Sequence, residues 1–166
     1  MKTLIRTLLL LSLIVWLGAE MFFPVVAAVT FTRLSPNTHD AGMIVGELLR
    51  LLHVAGLVAG VVMLALMALA PAWGIFKPRS VLAPMGLVVV MLALTAYSQF
   101  GIIPAMERDR ARAPEGNISK LAVDDPARVH FEALHQRSEH VEGAVMLLGI
   151  AVVVTVAYAE SAYRRL

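Results

Sequence analysis

Four long apolar stretches dominate this chain and constrain its fold. They cover residues 7–30, 42–70, 81–106 and 127–160. A helix needs about 20 mostly apolar residues to cross the hydrocarbon core of a bilayer, so each stretch is long enough to span a membrane. Of the 166 residues, 59% are hydrophobic and only 16% are charged, which excludes an ordinary soluble domain. The sequence predicts an all-α, integral membrane four-helix bundle that forms one domain over residues 1–166.

The connections between these stretches predict the order of the helices. The first two connections are short, which makes the helices on either side antiparallel neighbours. The third is longer and contains Pro114 and Gly116, both typical of loops. It ends at Asp125-Pro126, a capping carboxylate followed by a proline suited to the first helical turn. We therefore expect up-down spans, a long fourth helix, and both termini on one side of the membrane.

Charge and cysteine content exclude several classes of protein. The formal net charge is only +2, and no dense basic block indicates binding to nucleic acid. There is no cysteine, so disulfides, thiolate metal sites and thiol catalysis are excluded. Basic residues beside the spans favour cytoplasmic termini under the positive-inside rule. Those residues are Lys2, Arg6, Lys77, Arg79, Arg164 and Arg165.

A few polar residues interrupt the apolar stretches and indicate a buried site. A charged side chain at membrane depth costs about 2.5–3.5 kcal/mol, so such residues usually face the bundle interior and pair. At 1.5 Å per residue, Glu20 and Arg50 lie about 15 Å and 13 Å from the same end of the bundle. An ion pair between Glu20 and Arg50 is therefore predicted, either to fix helix register or to form part of a site.

Residue spacing assigns further polar residues to inward faces. On the second helix His53 shares a stripe of small residues that allow close helix packing; the glycines are Gly42, Gly46, Gly56 and Gly60. On the fourth helix a similar stripe contains His135, Ser138 and Glu142. The predicted buried polar cluster comprises Glu20, Arg50, His53, Gln99, His135, Ser138 and Glu142.

Motifs of known chemistry are missing from the sequence. His130, His135 and His140 are spaced by five, which rotates each by about 140° from the last and prevents them from holding one metal. The sequence has no phosphate loop, dinucleotide fingerprint or serine nucleophile elbow. A non-enzymatic role is favoured, although the residues leave an enzymatic one open.

Several segments resemble one family of membrane proteins. Leu49-Arg50-Leu51-Leu52-His53, and the segments 16–18, 22–27, 91–100 and 131–138, are similar to the bacterial branch of the transmembrane-protein-205-like family. That resemblance implies a small four-span protein of the bacterial inner membrane with no established activity. More distant likeness to copper-resistance membrane proteins and haem-dependent protoporphyrinogen oxidases implies metal or haem handling, by association only.

Two functions from different classes remain open. The first is an accessory or structural membrane subunit, in a homo-oligomer or a larger membrane complex within the lipid bilayer, whose polar groups join the helices. The second is a metal- or haem-handling protein in which His53 and His135 bind haem b or a copper-like ion. Alanine at either histidine would abolish cofactor content in the second case and mainly lower stability in the first.

Overall fold

The structure is a bundle of long helices. The computed structural model describes residues 2–164, with side chains up to residue 158, and this part of the chain contains no β-strand. The α-helices are α1 (Lys2–Arg33), α2 (Thr38–Leu69), α3 (Leu82–Tyr97), α4 (Ile103–Arg110) and α5 (Pro126–Arg164). Short 3-10 turns cover Pro78–Val81, Pro114–Gly116 and Ile118–Lys120.

Within the described part of the chain, four helical segments are long and apolar enough to cross a membrane. They are Lys2–Arg33, Thr38–Leu69, Pro78–Arg110 and Pro126–Tyr158. The third consists of α3 and α4 together with the turns that precede and join them. The predicted all-α four-helix bundle with a long fourth helix is therefore confirmed, and its apolar helices fit a lipid bilayer.

Local capping sets where two of these helices begin. Asn37 precedes α2 and its side-chain Oδ1 accepts the N–H of Asp40 at 3.2 Å. At the start of α5, Asp125 Oδ1 accepts the N–H of Ala127 at 2.8 Å, and Pro126 is the first helical residue. These side chains satisfy N–H groups that the first helical turn leaves without partners. The start of the fourth helix predicted from Asp125-Pro126 is confirmed.

The helices close into a ring around an apolar core. Contacts join α1 to α2, α2 to α3, α3 to α5, and α5 back to α1, while α4 packs on α5. Near the start of α1, Lys2 Nζ donates to the carbonyl oxygen of Gly74 in the α2–α3 connection, at 3.4 Å. This contact fits the antiparallel packing of α1 and α2. The core in that half of the bundle includes Trp16, Met63, Val88, Met91, Val145 and Val152.

The four glycines of α2 face different neighbours. A Cβ atom on Gly56 would lie 2.5 Å from Trp16 Nε1, and one on Gly60 would lie 2.6 Å from the Trp16 ring. Gly56 and Gly60 therefore give the indole of α1 room to lie against the α2 backbone. Gly42 and Gly46 instead face the guanidinium group of Arg110, which donates to the Gly42 carbonyl at 3.4 Å.

A π-helical turn, Ser98–Ile102, separates α3 from α4. The N–H of Ile103 donates to the carbonyl oxygen of Ser98, five residues earlier. Pro104 explains the change of geometry, because it has no N–H and its ring would clash with the carbonyl of Phe100 in a regular α-helix. The third span therefore continues past its proline with one wider turn, and such turns often occur at functional sites.

Candidate polar site between the helices

His53 lies at the centre of a polar network that joins three helical segments. Its side chain is 0% exposed. Nδ1 lies 3.1 Å from Gln99 Oε1, and Nε2 lies 2.9 Å from Glu142 Oε1. Ser98 Oγ donates to the same Glu142 oxygen at 2.9 Å. The network therefore connects α2, the π-helical turn and α5.

The π-helical turn supplies two of the four residues of this network. Ser98 is fully buried and Gln99 is half-buried, and both reach the pair formed by His53 and Glu142. Sequence spacing had identified Gln99 but not Ser98. Pro104 was the available signal, because a proline inside an apolar span indicates a local change in the helix around the preceding turn.

The hydrogen bonds of His53 determine how many protons the network holds. Gln99 Oε1 can only accept, so His53 Nδ1 carries a proton in this arrangement. His53 Nε2 then either donates to a Glu142 carboxylate or accepts from a Glu142 carboxylic acid. In both cases the pair of His53 and Glu142 is neutral overall and shares one proton along the 2.9 Å contact. Neutrality lowers the cost of burying this pair at membrane depth.

The two histidines proposed as metal ligands lie in different surroundings. Both ring nitrogens of His53 already form hydrogen bonds. The His135 side chain is 53% exposed, stacks on Phe131 with ring centroids 6.4 Å apart, and lies 3.4 Å from Glu139. No group of three or more histidine, aspartate or glutamate side chains within the described residues could hold a metal ion. In this arrangement His53 therefore has no ring nitrogen free to bind a metal or haem iron.

A cavity of about 710 Å³ opens beside this network, in the half of the bundle away from the Lys2–Gly74 contact. Its walls come from α1, α2, α4, α5 and the connection before α5. Glu20, Ser138 and Glu142 line it together with apolar side chains that include Phe23, Phe31, Met106 and Met146. Three cationic side chains, Arg50, Arg110 and Arg128, also line it. A cavity of this size and mixed lining is typical of small-molecule sites.

Glu20 and Arg50 do not pair, and this prediction was wrong. Glu20 is 3% exposed and its Oε1 accepts a hydrogen bond from Trp16 Nε1 at 3.2 Å. Arg50 forms an ion pair with Glu107 of α4, and both of these side chains are more than a third exposed. Pairing near the bundle surface spares Arg50 the desolvation that an ion pair with buried Glu20 would require. Trp16 lies one helical turn before Glu20 and can reach it without any change in helix packing.

Comparison with known proteins identifies the family to which this chain belongs. A sequence profile described as "Domain of unknown function (DUF4149)" matches residues 11–114, which is more than half of the chain. This protein belongs to the DUF4149 family. No curated protein and no solved structure matches the chain. The segment shared with the DUF4149 family contains Glu20, Arg50, His53 and Gln99, whereas Ser138 and Glu142 lie beyond it.

Among the described residues of this DUF4149 chain, Glu142 is one of three whose buried side-chain atoms lack a hydrogen-bond partner; the others are Arg6 and Thr95. The Glu142 side chain is 14% exposed, and Oε1 accepts from Ser98 and contacts His53. The second oxygen, Oε2, is buried and has no hydrogen-bond partner. A buried acceptor without a partner costs about 1–3 kcal/mol, more when it is charged. This oxygen is therefore the place where an additional donor would stabilise the site most.

The predicted cluster thus divides into three groups. The structure joins His53, Gln99 and Glu142 in one network, and it places Glu20 and Ser138 on the wall of the adjoining cavity. Arg50 and His135 lie on the same wall but are directed to Glu107 and Glu139. Sequence reasoning missed Ser98, Trp16 and Arg110. Ser98 and Trp16 carry no charge, and Arg110 lies in the connection after the third apolar stretch, so none of them interrupts an apolar stretch.

Proposed function

We propose that this protein is an accessory or structural subunit of the membrane, in which a buried polar network holds α2, the π-helical turn and α5 in one arrangement. The observation that carries the proposal is the state of His53. It is fully buried and uses both ring nitrogens in hydrogen bonds to Gln99 and Glu142. Such interhelical hydrogen bonds stabilise a membrane bundle and specify its helix pairing.

The alternative of metal or haem handling would require this network to break. A metal ion binds imidazole through a nitrogen lone pair, so iron or copper could reach His53 only after Gln99 or Glu142 had moved away. His135 is half-exposed and supplies a single donor. The packing role needs no such rearrangement.

The exposed apolar surface of the protein indicates what surrounds it. Large apolar side chains cover the outer faces of the helices, such as Leu51, Val58 and Leu147 at more than 60% exposed, and these can face lipid or a second subunit. We propose a homo-oligomer or a larger complex in the bacterial inner membrane, with both termini in the cytoplasm. A relationship to transmembrane-protein-205-like proteins belongs to the same proposal.

Elemental analysis tests the packing role against the cofactor role. The protein would be purified in mild detergent from cells supplied with iron and copper, and metal content measured by inductively coupled plasma mass spectrometry. We expect a folded protein with no stoichiometric metal, and a His53→Ala variant with lower thermal stability. Near-stoichiometric iron or copper in the parent that is lost in His53→Ala would overturn the packing role. His135→Ala is the matched control for thermal stability, because His135 lies outside the network.

Native mass spectrometry tests the subunit role. After gentle extraction from its native membrane, the 18.0 kDa chain should appear in species that contain a second protein chain, identical or different. Species that contain one chain with only lipid or detergent bound would contradict a role in an assembly.

A further inference from the structure

The cavity beside Glu142 carries an inference that is independent of any partner subunit. We propose that it binds an organic ammonium ion that has N–H donors and an apolar body. The positive head would lie at Glu20 and Glu142, and the apolar body would lie along the walls of the cavity. The cavity volume of about 710 Å³ is within the range of about 300–1,000 Å³ for small-molecule sites.

The charges around the cavity favour a cation as the ligand. The guanidinium groups in the lining are already engaged: Arg50 pairs with Glu107, Arg128 pairs with Glu132, and Arg110 lies 5.2 Å from the centre of the Phe131 ring. Glu20 has no basic side chain within ion-pair distance among the described residues, although it interacts electrostatically with Glu142 and His53. Because Glu20 has no such partner, a bound cation would favour the ionised form of its buried carboxyl group.

The hydrogen-bonding groups favour an ammonium ion that carries N–H donors. Glu142 Oε2 is buried without a partner, and Ser138 is 5% exposed and lines the same cavity. Pro24, also in the lining, has no N–H to donate to the carbonyl oxygen of Glu20 four residues earlier. All of these groups can accept a hydrogen bond, and a primary ammonium ion offers three donors, whereas a quaternary ammonium ion offers none.

The remaining walls match an apolar or aromatic body. Phe23 and Phe31 of α1 line the cavity, together with Met106 of α4 and Met146 of α5. Aromatic faces attract organic cations, and methionine side chains adapt to ligands of irregular shape. A small inorganic cation would leave this apolar surface uncovered, so an amphiphilic ammonium ion fits the cavity better.

The test uses 2-(1-naphthyl)ethylammonium as the probe and the full chain in phosphatidylcholine nanodiscs. Binding would be measured by isothermal titration calorimetry, with empty nanodiscs as the reference for partition into lipid. Two matched probes isolate the head group: 2-(1-naphthyl)ethanol, which has no charge, and the N,N,N-trimethyl derivative, which has the charge but no N–H. We expect the ammonium probe to bind about tenfold or more tightly than either analogue. Equal binding of the three probes, or no binding beyond that of empty nanodiscs, would overturn the proposal.

Substitutions then locate the site. Glu20→Gln and Glu142→Gln should each weaken the ammonium probe about tenfold, whereas Asp124→Asn, which removes one exposed carboxylate outside the cavity, should change it by less than about twofold. An equal loss of probe affinity in all three variants would indicate that the probe is attracted by net charge alone. That result would contradict the proposed binding site. The comparison of the three probes on the parent chain tests the proposal even if Glu142→Gln fails to fold. The absence of a partner subunit would not change probe binding. The subunit role and the ammonium-binding site can therefore fail independently of each other.

Discussion

The Nε2 atom of His53 lies 2.9 Å from Oε1 of Glu142, so one hydrogen bond joins α2 to α5 through the centre of the bundle. The two residues are 89 positions apart in the chain. Since His53 Nδ1 is also bonded to Gln99, the imidazole is held from both sides and its orientation is set by two other helical segments. The other oxygen of Glu142, Oε2, is buried without a hydrogen-bond partner, and Glu142 also lines the adjoining cavity.

Removing the imidazole should destabilise the bundle. His53→Ala breaks two interhelical hydrogen bonds and leaves Gln99 and Glu142 without their buried partner, for an expected loss of about 2–3 kcal/mol. Thermal unfolding in detergent should show a decrease of roughly 5–10 °C in Tm. His135→Ala, at a half-exposed position, should change stability by less than about 0.5 kcal/mol. Equal losses in the two variants would show that the network does not hold the helices together.

Enlarging Gly56 should disrupt the packing of α1 on α2. In Gly56→Ala the new Cβ atom would meet Trp16 Nε1 at 2.5 Å, so the indole or the helix must move, at a cost of about 1–3 kcal/mol. Gly86→Ala in α3 is the control, because nothing lies within 4 Å of its Cβ position and alanine favours the helix by up to about 1 kcal/mol. Unfolding measured by denaturant titration would compare them, and a stable Gly56→Ala variant would argue against close packing at Trp16.

Double-mutant cycles should separate the observed ion pair from the one predicted from sequence. Arg50→Gln and Glu107→Gln should show a coupling energy of about 0.2–1 kcal/mol, which decreases with added salt because both side chains are partly exposed. Arg50→Gln and Glu20→Gln should be additive within about 0.3 kcal/mol. Stronger coupling of Arg50 to Glu20 than to Glu107 would show that the sequence-based pairing is correct in solution.

The connection before α5 offers a pH-dependent contact outside the membrane. Lys120 donates a hydrogen bond to the Glu115 carboxylate, and this bond together with the lysine charge lowers the pKa of Glu115 below the ordinary glutamate value. A lowered folded-state pKa means that the stabilisation is fully present above the ordinary pKa and is lost as the pH falls through the lowered one. Carboxyl ¹³C NMR titration of Lys120→Gln should return the pKa of Glu115 towards its ordinary value. An unchanged pKa would show that the pair does not persist at this exposed site.

Position along the bundle was predictable from sequence, whereas the choice of partner was not. His53, Gln99 and Glu142 were assigned to one level because depth follows from position along each helix at 1.5 Å per residue. Arg50 was assigned to that level too, but its long side chain reaches Glu107 near the bundle surface. Partner choice depends on the rotation of each helix and on side-chain conformation, and position along the chain determines neither.

By itself, the sequence determined the helices and the acids and bases they carry into the apolar region. Apolar length and capping at Asp125 are local properties, and they sufficed to predict four spans and the start of α5. Only the tertiary structure decided that Trp16 lies against Gly56, that a π-helical turn brings Ser98 to Glu142, and that a cavity opens beside them. These features arise where helices meet, because the packing of side chains between helices sets their rotation and separation.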